Sequence, residues 1–390
     1  MIKSRFFEIV IGVFIGLIVS NQSIRALTQF NLVFLYFAVL MLFFFIWFFG
    51  SELYSKIALK IDEIILFVAF SFMFIYAILS MFIETGLSNF NLIFDVFALF
   101  CIYLVGRVIY FTSYKYCVYI IFLVGFLHSL GIIFYRDLMY SSGVNYLLMS
   151  LMIGLFTCFS LIAVFNNRKT IIVLFFITLY FVGWAALFSM QSRATFLFVG
   201  FVSILIPNLS LNNSQRVVFN FGILLFFIFA ITFYLPDILD FYENSNIHQR
   251  MDSLFSDFRH EQRFVTYGLF FHNLKYFFIS GFGLGGTTEG IYSSTVEKYP
   301  HNFILEFWSE FGLLGLFFSL LIFLISIGNF LKFLSRDRGF WTVSVLLLYL
   351  FYLMNFMKSF SIYDSSILFF SFGLLMNEEL SISFKNNKDI

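Results

Sequence analysis

The chain is a succession of apolar stretches, most of them long enough to cross a bilayer and each closed by a short polar break. Twelve run over about 6–20, 30–49, 64–83, 91–111, 117–135, 146–165, 171–190, 194–211, 217–236, 303–331, 340–357 and 361–376. Crossing a hydrocarbon layer takes roughly 20 apolar residues of helix. Backbone in lipid must satisfy its own hydrogen bonds, so such spans are helices, and the strict alternation of barrel strands is absent. Composition excludes the soluble alternative: 61% of residues are hydrophobic, 23% aromatic and only 12% charged. Soluble chains carry roughly 25% charged residues, and a core this apolar would lack a polar cover. The expected fold is an all-α polytopic membrane protein of about 12 transmembrane helices, residues 1–390 forming one integral membrane domain.

Lysine and arginine in the short loops set the orientation, because cytoplasmic loops collect them. With the N-terminus inside, the inner face gathers Lys3, Arg5, Lys56, Lys60, Lys115, Arg168, Lys169, Arg216, Lys332, Arg336, Arg338, Lys385 and Lys388. The outer short segments hold only Arg25, Arg136, Arg193 and Lys358. Both termini are therefore expected in the cytoplasm, and loop 237–300, between helices 9 and 10, outside. Phe264–Ser280 within that loop is read as an interfacial or re-entrant helix on the outer leaflet, since His272, Asn273 and Lys275 interrupt it. Met1–Arg5 followed by an apolar run reads as a signal anchor or first helix rather than a cleaved leader.

A net charge of +1 offers no basic surface for nucleic acid. Cys101, Cys117 and Cys158 lie in or beside apolar runs without paired spacing and read as packing residues. Among ionisable residues within the spans, Asp95 and Arg107 stand out, and such residues are functional candidates by default. They are about 18 Å apart along one helix, too far to pair. Each sits about one turn from a helix end, where it reaches the interface, so both read as structural.

Chemistry is concentrated in the outer loop and the helix starts beside it. Pro300-His301-Asn302 opens a helix running to about Phe330, longer than a span requires, so its first turns project above the outer surface. His301 at such a terminus, where free N–H groups favour an anion, suits proton transfer or hydrogen bonding to phosphate; an interfacial histidine is the plainer reading. Gly312 and Gly315 fit close helix packing. Arg193, in Gln191-Ser192-Arg193 at an outer helix end, is a snorkelling anchor or a functional cation. Arg250, Arg259 and Arg263 precede Gly281-Phe282-Gly283-Leu284-Gly285-Gly286, whose glycines allow close backbone approach or an anion-binding nest. A flexible loop explains them equally.

Together these residues resemble the O-antigen ligase and polymerase superfamily of bacterial membrane glycosyltransferases. Arg193-Ala194-Thr195-Phe196-Leu197 fits its R-x3-L element. Arg263, Tyr267 and Gly281-Phe282-Gly283-Leu284-Gly285 fit its arginine, aromatic and G-x-G-x-G pattern. His301-Asn302, nine residues, then Gly312-Leu313-Leu314-Gly315 fits H-N-x9-G-x-x-G. Many relatives have Trp at Tyr267 and Pro at Phe278, and the large extra domain of protein-glycosylating relatives is missing.

The resemblance implies a GT-C-like architecture in the bacterial inner membrane, with the active site on the periplasmic face. The implied donor is an undecaprenyl-pyrophosphate-linked glycan in membrane lipid. The acceptor is the sugar of another lipid-linked repeat unit for a polymerase, or lipid A-core for a ligase, with a chain-length regulator as a further partner. Arginine forks suit the developing pyrophosphate charge, which assigns Arg193 and Arg263 to the donor and the catalytic His301 to the acceptor hydroxyl, as general base or to orient it. Arg250, Arg259, Tyr267, Gly283, Gly285 and Asn302 are secondary candidates. No acid stands in the first outer loop, Asn21–Gln29, so transfer without metal or cofactor is expected. A flippase would call for midplane charges and internal repeats, and neither is visible.

Overall fold

A computed structural model describes residues 2–20, 61–84, 90–141, 146–190, 192–210, 215–217, 219–221, 262–292, 300–335, 339–358, 361, 365–377 and 380. In chain order the helices are α1 (Ile2–Val19), α2 (Ile61–Glu84), α3 (Phe90–Val108), α4 (Phe111–Ser141), α5 (Tyr146–Asn166), α6 (Thr170–Ser189) and α7 (Arg193–Ser210). They are followed by α8 (Gln262–Phe277), the single turn α9 (Thr287–Gly290), α10 (Phe303–Leu334), α11 (Phe340–Phe356) and α12 (Ser366–Met376). No strand occurs among the described residues. The expected span 30–49 lies outside the described residues, as do most of 217–236 and the loop positions Arg250 and Arg259.

Four of these helices have the length and apolarity to cross a membrane: α4 over Phe111–Arg136, α5 over Leu147–Asn166, α6, and α10. Outward-facing Ile171, Leu174, Phe175 and Phe181 on α6 show the apolar exterior that lipid accommodates. Inside the bundle, helices approach where side chains are smallest, because lipid tails compete equally for apolar surface and close backbone contact must supply the attraction. At the α3–α12 crossing, a Cβ on Gly106 would lie 3.2 Å from the Gly373 Cα. A Cβ on Gly154 of α5 would lie 2.6 Å from the Phe351 ring of α11 and 2.9 Å from Thr195 of α7.

Two expected boundaries move. The span 91–111 ends at Val108, and the next helix starts at Phe111 rather than residue 117. Asn377, just past α12, donates to the carbonyls of Gly106 and Ile109 at 3.3 and 2.9 Å, closing α3 there. Within the last expected span, 361–376, the described helix is α12, 11 residues long and buried throughout. At about 16 Å it is too short to cross alone. It packs as an inner strut against α3, α10 and α11.

Candidate functional site

The helix expected to open at Pro300-His301 begins at Phe303, and Asn302 is its N-cap. Asn302 Oδ1 accepts from the N–H groups of Ile304 and Leu305 at 3.0 and 3.2 Å. Two of the N–H groups that would have favoured an anion are therefore already satisfied, which corrects the expectation of an anion site at this terminus. His301 itself is half-buried and has φ 54°, a left-handed conformation uncommon for a residue with a Cβ. Such strain persists only where surrounding structure holds it, and it clusters at functional positions.

The long helix is also broken. Gly312 has φ 59° and ψ −145°, dividing α10 into a half-helix, 303–311, and a membrane-length segment, 313–334. The glycine-rich turn docks into this break. Phe282 N donates to the Ser309 carbonyl at 2.8 Å, Gly283 N to that of Glu310 at 3.0 Å, and Leu313 N to that of Ile279 at 3.1 Å. Gly281 N donates to Phe277 at 2.9 Å. The amides of residues 281–283 are thus engaged with carbonyls rather than forming an anion nest. Gly281, Gly283 and Gly285 have φ of 74°, 80° and 73°. The glycines serve close approach, but of backbone to backbone: a Cβ on Gly312 would lie 2.7 Å from the Gly281 nitrogen.

α8 forms where the interfacial helix was expected, and it buries one face only. Phe270, Phe277, Ile291 and Tyr292 make a small apolar cluster apart from the main core, completed by Trp308 of the half-helix. The Trp308 ring lies 5.9 Å from Phe270 and 5.7 Å from Phe278. The opposite face, with Val265, Phe271 and Tyr276, is exposed. Tyr292 Oη donates to the Thr266 carbonyl at 3.2 Å, fixing the N-terminal half of α8 that carries Arg263 and Tyr267. Tyr76 of α2 donates to the Ser280 carbonyl, fixing its other end.

Three motif positions thus stand at or near helix starts: Arg193 is the first residue of α7, Arg263 the second of α8, and His301 lies two before α10. The side chains of Arg193 and Arg263 lie outside the described ones, so both are placed by backbone alone. Contacts nevertheless bring the Arg193 and His301 segments to one end of the bundle. The Gly154 crossing sets the first turn of α7 beside Phe351, near the end of α11. Met357, the C-cap of α11, accepts from Asn302 Nδ2 at 3.2 Å, so His301 belongs to the same end of the bundle. The α7 start is tied down by three fully buried hydroxyls. Ser192 donates to Thr195 at 3.0 Å, Thr195 pairs with Ser150 at 2.8 Å, and Ser150 reaches the Leu147 carbonyl at 2.7 Å.

Sequence reasoning passed over two carboxylates. Glu306 and Glu310 lie one turn apart in the half-helix and are 1% and 2% exposed. Glu306 Oε1 accepts from Ser361 Oγ at 2.5 Å. The signal was available: Asn302, Glu306, Ser309 and Glu310 recur at helical spacing in an otherwise apolar run, a polar stripe on one face. Asp95 and Arg107, by contrast, are half-buried on α3. Among the described residues no three His, Cys, Asp or Glu side chains converge as metal ligands would.

Residues 176–320 match the family described as O-antigen ligase, a segment that contains Arg193, Arg263, His301 and both glycine elements. A comparison with curated proteins finds no match.

Proposed function

We propose that this chain, whose residues 176–320 match the O-antigen ligase family, is a surface-polysaccharide polymerase. It transfers a glycan from undecaprenyl pyrophosphate to the acceptor sugar of a second lipid-linked repeat unit. The observation that carries the reading is the strained His301 beside the capped start of α10, at the bundle end that also holds the Arg193 turn. In the transfer, an acceptor hydroxyl oxygen attacks the anomeric carbon as its bond to pyrophosphate breaks. The electron pair leaves on the pyrophosphate oxygen, the hydroxyl proton passes to His301, and the anomeric centre inverts. Arg193 and Arg263 offer the donor phosphates planar, permanently charged forks, and two such contacts stabilise the developing charge by several kcal/mol.

The proposed orientation puts this end of the bundle on the periplasmic face of the inner membrane, both termini in the cytoplasm, with a chain-length regulator as a further partner. The same family match is shared by a second reading, ligation of the same glycan to lipid A-core. One experiment separates them. Purified protein in nanodiscs, with chelator present, receives a polyprenyl-pyrophosphate oligosaccharide and either a second such molecule or lipid A-core. A lengthened lipid-linked glycan is the expected product. Product on lipid A-core alone makes the chain a ligase, and no product with either acceptor refutes both readings.

A further inference from the structure

We propose that Glu306 and Ser361 form a positioning pair that holds His301 in its working conformation, an inference that rests on the functional reading above. A carboxylate as buried as Glu306 is costly to keep unless it is hydrogen-bonded, and within a membrane protein it marks function by default. Its partner is Ser361, whose hydroxyl donates at 2.5 Å, within the range of a charge-assisted bond. Ser361 lies in the connector between α11 and α12, and so does Met357, which accepts from Asn302. Two side-chain hydrogen bonds therefore run from the first turn of α10 to one short connector, one at the cap and one a turn further on. Glu306 N also donates to the Asn302 carbonyl at 2.9 Å, joining the two anchor points through backbone.

Between this clamp and Pro300 sits His301 with φ 54°. Releasing the clamp lets the cap move and His301 relax toward ordinary negative φ. That rotation swings the imidazole away from an acceptor hydroxyl bound in place. Glu306 therefore acts through His301 rather than on substrate. Misplacement of about 1 Å at a reacting group costs as much as 100-fold in rate.

The test uses full-length protein in nanodiscs. Ser361→Ala removes the hydroxyl alone and is the deciding variant, because Glu306→Ala risks misfolding. The expected result is a fall in kcat of about tenfold or more with donor KM within about twofold. Ser361→Thr, which keeps the hydroxyl, should restore most of the rate, and Glu306→Gln, which keeps an acceptor, should retain more than Ser361→Ala. Amide exchange of residues 303–307, measured without substrate, should quicken in Ser361→Ala and stay unchanged in the control Ser335→Ala. Wild-type kcat in Ser361→Ala, a loss confined to KM, or unchanged exchange overturns the proposal. Inactivity of the wild type with every acceptor instead refutes the functional reading, while faster exchange in Ser361→Ala would still show the clamp.

Discussion

Replacing Gly312 by alanine should disable the protein, and the cost follows from the geometry of the helix break. At φ 59° and ψ −145° the residue occupies a region open essentially to glycine, and forcing a side chain there costs about 1–3 kcal/mol. The new Cβ would overlap the Ile279 carbonyl oxygen and lie 2.7 Å from the Gly281 nitrogen, so backbone must part. Parting breaks the 3.1 Å bond from Leu313 N to that same carbonyl, a further loss of about 0.5–1.5 kcal/mol. Reduced freedom of the unfolded chain returns only about 0.4–1 kcal/mol. The net loss is roughly 1–4 kcal/mol, a sizeable share of the roughly 5–15 kcal/mol that stabilises ordinary domains. Gly328 supplies the control within the same helix, since a Cβ there meets nothing within 4 Å. Thermal unfolding in detergent, followed by glycan transfer on the surviving fraction, reads both. Gly312→Ala should melt several degrees early and transfer poorly, and Gly328→Ala should match or exceed wild type. A Gly312→Ala protein with unchanged midpoint and rate would refute the docked-turn account.

Arg193→Lys and Arg263→Lys keep the charge but lose the bidentate fork, so each should lower transfer by about 10- to 100-fold, measured as kcat/KM with a defined lipid-linked donor. Near-normal donor affinity in both would remove them from the donor site. Asp95→Asn, at a half-buried position on α3, should retain most activity; a loss beyond about tenfold, or 1.4 kcal/mol, would give Asp95 a role not assigned to it. For orientation, cysteines introduced at Ser256 and Ser294 should react with an impermeant thiol reagent on intact spheroplasts, and one at Asn213 should not. The reverse pattern would invert the topology.

How much of this was legible in the sequence differs by element. The boundaries of α5 and α6 fall within one residue of the expected 146–165 and 171–190, because the polar run Asn166–Lys169 separates two uninterrupted apolar runs. The helical nature of Phe264–Ser280 was likewise readable, from aromatic spacing broken by polar residues. The break at Gly312 was not. G-x-x-G looks like helix packing, and only the Ile279 carbonyl and the turn at 281–283, brought from 30 residues upstream, give the glycine its positive φ. The early end of α3 depends on Asn377, a cap acting across more than 260 residues. At the candidate site, sequence motifs singled out His301, Arg193 and Arg263 as candidates. They could not show that Asn302 satisfies the helix amides, or that Glu306 is buried against Ser361, since both depend on tertiary partners.

The central claim is that His301 serves the acceptor while the donor is held elsewhere, and single-turnover kinetics with His301→Ala tests it most directly. The measurement pairs the transfer rate from a polyprenyl-pyrophosphate oligosaccharide with donor affinity measured in the same nanodiscs. The account predicts transfer lowered at least 100-fold, the lower end of a general-base contribution, with donor affinity within about twofold of wild type. Full turnover by His301→Ala, or donor binding lost together with transfer, would contradict it.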